Sequence, residues 1–440
     1  MRPIDAMLSR AQGFTRFHMP GHKGRLGAIP SELDMTELWN TDDLYAPTSG
    51  IRRAEELLAQ SAGAGASMLL SGGATSGIHA SILSALFPGD RLLLSRDAHH
   101  SAFSGCVLAG VEPEAVHPAA DFLSAIEKSA ARAVLVTYPD YYGNCPDLGA
   151  IARAAHSRGM KVLVDAAHGA HFHWWDRPLS AVRLGADFSV ESAHKTLGCL
   201  TGGAWLHLKN PQDAPRAREM LRLSFSSSPS FLILRSLDNA RAWMDANGTE
   251  ALKRLLSLCA AFRRDIASIS GLRMRAGGDP TRLTLDVSGL GLTGWEAYAQ
   301  LRDRGLALEM ADLHRVVAIS TVFDREEDFS HLVDGLRALQ GGEGTQKAFP
   351  PAPVGIREMP LREAALSPSR TVPLERATGK IAARAVGAYP PGWPAILPGE
   401  RFTGEVVAFL AQMRAMGATL FGLEGDAVSI VEKGEIDHAV

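Results

Sequence analysis

The sequence predicts an α/β protein built on a mainly parallel sheet, followed by a smaller α+β domain and a C-terminal segment. Three observations carry that prediction. Continuous apolar runs, RLLLS at 91–95, AVLVTYP at 133–139 and KVLVDAA at 161–167, read as strands covered on both faces. Helical patterns lie among them. Ile78, Ile82 and Leu86 share one face, stopped by Pro88-Gly89-Asp90, and 151–158 is closed by Gly159. After about residue 210 the pattern changes, with a long helix over roughly 232–269 and Gly271 behind it. RLTLDVSG at 282–289 and RVVAIST at 315–321 then read as strands, flanking a helix at 295–305 that ends at Gly305. GGEGTQKAFPPAPVG at 341–355 is a linker by composition. The expected organisation is an N-terminal arm (1–45), a large domain (46–255), a small α+β domain (256–340), the linker and a C-terminal domain (356–440).

Composition removes whole classes of function. The chain has 440 residues, 46% hydrophobic and 21% charged, outside collagen-like, disordered and coiled-coil ranges. Lys+Arg 45 against Asp+Glu 48 leaves a net charge of −3, so no basic field favours nucleic acid or an anionic membrane. No apolar run reaches membrane-spanning length, and MRPIDAMLSRAQGF lacks a signal-peptide core. Cys106, Cys145, Cys199 and Cys259 have no metal-type spacing and read as reduced thiols in a cytoplasmic protein.

In parallel sheets the chemistry sits in loops at the carboxyl ends of strands. Lys195, in SVESAHKTLG, lies in one such loop, and Asp165, ending VLVD, lies in another 30 residues earlier. A carboxylate buried at a strand end needs a cationic partner. A protonated pyridine nitrogen is one candidate, and a Schiff-base lysine is the other half of that site. SGGATSGI puts two glycines, then Ala74, Thr75 and Ser76, at the start of the helix built on Ile78, where free N–H groups and hydroxyls bind phosphate. His99, in SRDAHHS, follows the strand RLLLS. Taken singly, Lys195 reads as a surface lysine, Thr75 or Ser76 as a helix cap, and His99 as a polar loop residue or a ring-stacking one. Their order along the chain, phosphate cradle, ring-stacking histidine, strand-end aspartate and lysine, is that of a fold-type-I enzyme dependent on pyridoxal phosphate.

The sequence further resembles one family. HMPGHKGR, TDDLYAPTSGI, SGGATSGI, SRDAHHS, VTYPDYYG, VDAAHGAHF, ESAHKTL, SSSPSFLILRSLDNAR and YPPGWPAILPGE occur in order between His18 and Glu400. They are similar to the bacterial Orn/Lys/Arg decarboxylases, here in a short form expected to lack the receiver-like N-terminal domain. The resemblance implies an aspartate-aminotransferase-like large domain with pyridoxal 5'-phosphate on Lys195 and Asp165 against its ring nitrogen. It implies His99 stacked on the ring, Ala167 and His168 on the other side, and Ala74, Thr75, Ser76 and Ser192 on the phosphate. His194 is implied near the reacting carboxylate or as proton donor. The implied partner is a second copy of the chain, with HMPGHKG and SSSPS near the dimer interface, and the implied substrate is a small molecule, a basic amino acid.

Three positions depart from the family pattern: Leu200-Thr201-Gly202 where many relatives carry Gln, His100 for the usual Lys, and Asp97 for Asn. The first two bear on substrate choice more than on cofactor binding. Glu309 and Asp312 resemble the family's acidic pair and read either as partners for a distal ammonium or guanidinium or as solvated loop carboxylates. His168, His171 and His173 raise the idea of a metal cluster, but their place beside Asp165 favours ring contact and polar packing, and no metal is expected. Trp174 and Trp175 read as core or interface aromatics. The expected activity is decarboxylation of lysine, arginine or ornithine. The alternative is another pyridoxal-phosphate reaction in the same fold, of aminotransferase, lyase or aldolase type.

Overall fold

A computed structural model describes residues 15–17, 42–117, 121–176, 179–341, 353–389 and 393–432. HMPGHKGR and residues 390–392 of the Pro-Pro-Gly turn lie outside them. In chain order the main elements are β1 (Ala66–Leu70), α1 (Gly73–Ala85), β2 (Arg91–Ser95), β3 (Glu112–Val116), β4 (Ala133–Thr137), β5 (Lys161–Asp165), β6 (Phe188–Glu191) and β7 (Ala204–Leu208). They are followed by α2 (Phe231–Ile266), β8 (Arg282–Asp286) and β9 (Arg315–Ile319). The runs read as strands from the sequence are β2, β4, β5, β8 and β9, and the long helix is α2. Between β4 and β5 the predicted helix spans Leu148–Ser157, with Asp147 accepting from Ala150 N as its N-cap.

The chain forms two compact units, residues 1–84 with 136–347 and residues 85–135 with 348–440. In the first unit β5 and β6 are parallel, with Asp165 opposite Val190. β7 runs antiparallel to β6, with Glu191 opposite Trp205, and β1 runs antiparallel to β7, with Leu70 opposite Ala204. These registers bring the carboxyl ends of β1, β5 and β6 to one edge. The three segments leaving that edge are the start of α1, Asp165–His168 and Ser192–Lys195. In this unit β7 alone runs against β1, β5 and β6, in keeping with the expected mainly parallel sheet.

The core of this unit gathers on α2, which buries Leu234, Leu237, Met244, Leu252, Leu255, Cys259 and Phe262 on one stripe. Ser230 caps it by accepting from Ile233 N. A four-stranded antiparallel sheet with β8 and β9 at its centre carries the helices Gly294–Asp303 and Glu326–Arg337. Ahead of the first β-strand of the large sheet, Asp42 organises TDDLYAPTSGI by accepting from the N–H groups of Asp43, Thr48, Ser49 and Ile51.

In the second unit β2 pairs in parallel with both β3 and β4. The C-terminal segment adds two small three-stranded sheets and the helix Gly404–Ala415, capped by Thr403. Arg96 binds this segment to the loop after β2. Its guanidinium meets Glu400 in two hydrogen bonds of 2.8 and 2.6 Å and donates to the Pro394 and Ala395 carbonyls. Among the described residues no helix is long and apolar enough to cross a membrane.

Candidate active site

Asp165 ends β5 and is 5% exposed. Its Oδ1 accepts from Ala167 N at 3.1 Å, and burial holds its carboxyl above the ordinary range while the nearby Lys195 opposes that rise. Lys195 follows β6 on the short helix Ala193–Thr196, its N–H donating to the Ser192 carbonyl. The surrounding protein pushes the Lys195 ammonium below its usual basicity; Asp165 and Glu309 resist that shift, and Arg282 adds to it. Lys195 Nζ lies 3.3 Å from His168 Nε2 and 5.6 Å over the Tyr141 ring. His168, buried three residues after Asp165, accepts at Nδ1 from Arg282 Nη2 at 2.9 Å, and its ring stands 4.7 Å from that of Tyr141.

The structure therefore brings together Asp165, Ala167, His168, Ser192 and Lys195. Ala74, Thr75 and Ser76 occupy the first turn of α1. Gly73, with φ of +73°, donates to the carbonyl of Gly202, itself at φ +91°, so two left-handed glycines lock the start of α1 against the loop after Lys195. Ser76 Oγ donates to the Gly73 carbonyl at 2.8 Å. Beside this turn Ser71 Oγ is buried without a partner. An orphaned hydroxyl next to the free N–H groups of a helix start fits a phosphate, and a buried carboxylate facing a lysine fits a protonated ring nitrogen. The residues present suit pyridoxal phosphate.

His194 Nδ1 donates to the Gly203 carbonyl at 2.9 Å, which leaves Nε2 as the acceptor of the neutral ring. Glu309, half-buried, acts electrostatically on both Lys195 and Arg282. Asp312 is committed locally: it accepts from Tyr142 Oη at 2.8 Å and from the N–H groups of His314 and Arg315, and it forms an ion pair with Arg315 Nε at 2.9 Å. His99 belongs to the second unit. There it caps the helix His100–Ala109, with Nδ1 2.8 Å from Ser101 Oγ, and its ring lies 4.0 Å from that of His100. Asp97 accepts from Ser95 Oγ.

The three histidines of AAHGAHFHWW go separate ways. His168 meets Arg282, His171 meets Asp279 at 3.3 Å, and His173 meets Glu191 at 2.7 Å. His173, Glu191 and His207 are the group of metal-type side chains that converges among the described residues. The 2.7 Å separation is that of a charge-assisted hydrogen bond, and Ser67 Oγ lies 2.7 Å from His207 Nδ1. Arg282 and Tyr141 carried no role in the sequence reading. Arg282 occupies a polar position of an alternating strand, a signal that reads as solvent-facing, yet β8 is buried on both faces.

Solved structures share this fold. The lysine decarboxylase LdcF of Francisella novicida superposes with a TM-score of 0.76 over 89% of this chain and 73% of its own, at 15% identity. A serine palmitoyltransferase holding pyridoxal phosphate superposes at 0.57 over 68% and 80%, at 16% identity. The fold, with the family match and the curated relatives that follow, makes the chain a fold-type-I enzyme dependent on pyridoxal phosphate, an amino-acid decarboxylase. The chain belongs to the Orn/Lys/Arg decarboxylase family, whose major domain matches residues 10–284 and whose C-terminal domain matches 359–438. It is 30% identical to the arginine decarboxylase of Bacillus subtilis (strain 168), over 94% of both chains.

Proposed function

We propose that this enzyme decarboxylates a basic amino acid, lysine, arginine or ornithine, at the edge formed by β1, β5 and β6. The observation that carries the reading is the convergence of Asp165, Lys195 and Glu309: one carboxylate for a ring cation, one amine for an aldehyde, and one further carboxylate for a second cation. Likeness to arginine decarboxylases supports the substrate class. Pyridoxal phosphate, when bound, supplies an aldehyde for the amine and a ring that draws electrons from the bonds at the substrate's α-carbon. Ala74, Thr75, Ser76 and Ser192, with Ser71, hold its phosphate. Asp165 keeps the ring nitrogen protonated, and Ala167 and His168 line one face; His99 is assigned the other on sequence likeness alone. Lys195 serves as the anchoring amine, its basicity lowered by burial. The proton that replaces CO2 at the α-carbon is delivered from Lys195 Nζ or His194 Nε2 after that nitrogen, a lone-pair acceptor at rest, has taken one up. Glu309 receives the substrate's distal cation. Asp312, engaged with Tyr142 and Arg315, shapes the turn that carries it.

The active form in this reading is a homodimer. The test incubates the holoenzyme with each basic amino acid and follows CO2, amine and keto acid together. Amine with equal CO2 supports the reading. Keto acid without CO2 overturns it in favour of an aminotransferase, and a fully active monomer in sedimentation overturns the dimer.

A further inference from the structure

Arg282, His168 and Lys195 form a line of hydrogen-bonding groups with a fixed direction. A guanidinium has donors only, so at 2.9 Å from Arg282 Nη2 the Nδ1 of His168 offers its lone pair. A neutral imidazole that accepts at Nδ1 carries its proton on Nε2, and a doubly protonated ring would set N–H against N–H. Nε2 is 3.3 Å from Lys195 Nζ. An ammonium cannot accept a hydrogen bond, whereas an uncharged amine has one lone pair to offer. Arg282 is 3% exposed, and its Nε and Nη1 are buried without partners, so His168 is where its buried donor capacity is directed.

We propose that Arg282 is a positioning residue that, through His168, presents an N–H donor to Lys195 and so holds the lysine as an uncharged amine. The inference deepens the reading of Lys195 as the anchoring amine and rests on it. The other groups facing Lys195 work against this state: Asp165, Glu309 and the Tyr141 ring all favour an ammonium. Asp279 and Asp140 favour the charged form of Arg282. Burial is the main influence lowering the basicity of Lys195, and Arg282 acts in the same direction, against the two carboxylates.

The test needs no turnover. The full-length chain, freed of pyridoxal phosphate with hydroxylamine, is labelled with acetic anhydride across a pH series, and the Lys195 peptide is quantified by mass spectrometry with Lys253 as reference. Arg282→Met is expected to raise the labelling midpoint of Lys195 by roughly one pH unit, about tenfold less free amine below that midpoint, while Lys253 stays in place. His168→Phe is expected to move it the same way, and Arg282→Lys, which keeps a charge and a donor, to move it less. An unchanged midpoint in folded Arg282→Met overturns the inference. If that variant does not fold, an unchanged midpoint in His168→Phe overturns it equally. A chain that makes amine and CO2 without the shift sinks the relay alone; a chain that shows the shift but makes no amine sinks the proposed activity alone.

Discussion

Asp165 is asked to remain ionised in a site whose burial favours its neutral form, so its charge depends on a cation beside it. Asp165→Asn keeps the shape and removes the charge. Turnover is expected to fall by about 10²-fold or more, and a turnover number within threefold of the parent would refute the ring-nitrogen assignment. Glu309→Gln tests substrate recognition separately. With its charge gone, KM for a basic amino acid should rise about tenfold, the worth of one charge-assisted hydrogen bond, with kcat changed less. An unchanged KM would remove Glu309 from the distal site. A third carboxylate ties the site to stability. Burial would raise Asp279, but His171, Arg282 and the Thr281 hydroxyl outweigh it and draw its pKa from the ordinary 3.8 to about 2. A depressed carboxylate contributes stability that is fully present above its unfolded value and lost as pH falls through the folded one. The expected contribution is about 2 kcal/mol above pH 4, draining away toward pH 2. Denaturation of Asp279→Asn should accordingly differ from the parent at pH 6 and converge with it near pH 2; parallel curves would exclude the linkage.

Element geometry decides which of these residues meet, and here the sequence was only partly readable. β2, β4 and β5 are legible because their apolar runs are unbroken. β1 and β7 are not, because each buries a polar residue inside the sheet. Ser67 of β1 lies against His207 of β7, and Glu191 of β6 lies against both His173 and His207. Paired polar residues at consecutive strands look, in a single sequence, like strand ends or loops. The same limit hid Arg282, whose partner His168 is 114 residues away. Asp165 and Lys195 escaped the limit because each stands directly after a strand-like run, where local pattern and chemistry coincide. The departure at Gly202 acquires a backbone reason: at φ +91° its carbonyl receives the Gly73 N–H at the head of α1. A Cβ there would meet Ser71 O at 3.5 Å and Ile233 Cδ1 at 3.6 Å, ordinary contacts, so Gly202→Ala costs through its torsion alone. That cost is about 1–2 kcal/mol, and the lost cradle geometry should weaken pyridoxal phosphate retention in equilibrium dialysis. Retention and melting temperature both equal to the parent's would show that the left-handed turn is dispensable.

At the scale of the whole molecule, a net charge of −3 provides almost no field to gather a cationic substrate. Selection then falls to a few local carboxylates, and kcat/KM should vary little with ionic strength once screening of Glu309 is allowed for. The chain also interleaves its segments. Residues 85–135 fold with 348–440, and within that second unit the buried pair Arg96–Glu400 joins the loop after β2 to the C-terminal segment. Side-chain exposures of 8% and 4% place both charges out of water. Removing one partner strands the other, a loss of about 3–5 kcal/mol, whereas replacing both with apolar residues of similar volume costs far less. Arg357, 3.7 Å from Glu400 Oε1, is too distant to take over the two direct hydrogen bonds. Chemical denaturation of Arg96→Met, Glu400→Leu and the double variant forms a closed cycle. Each single change should unfold the second unit early and expose the stretch near Ile356–Arg357 to protease, and the double change should recover much of the loss. Additive losses would show that the pair does not act as a unit, and the joining of the two segments would then rest on apolar packing instead.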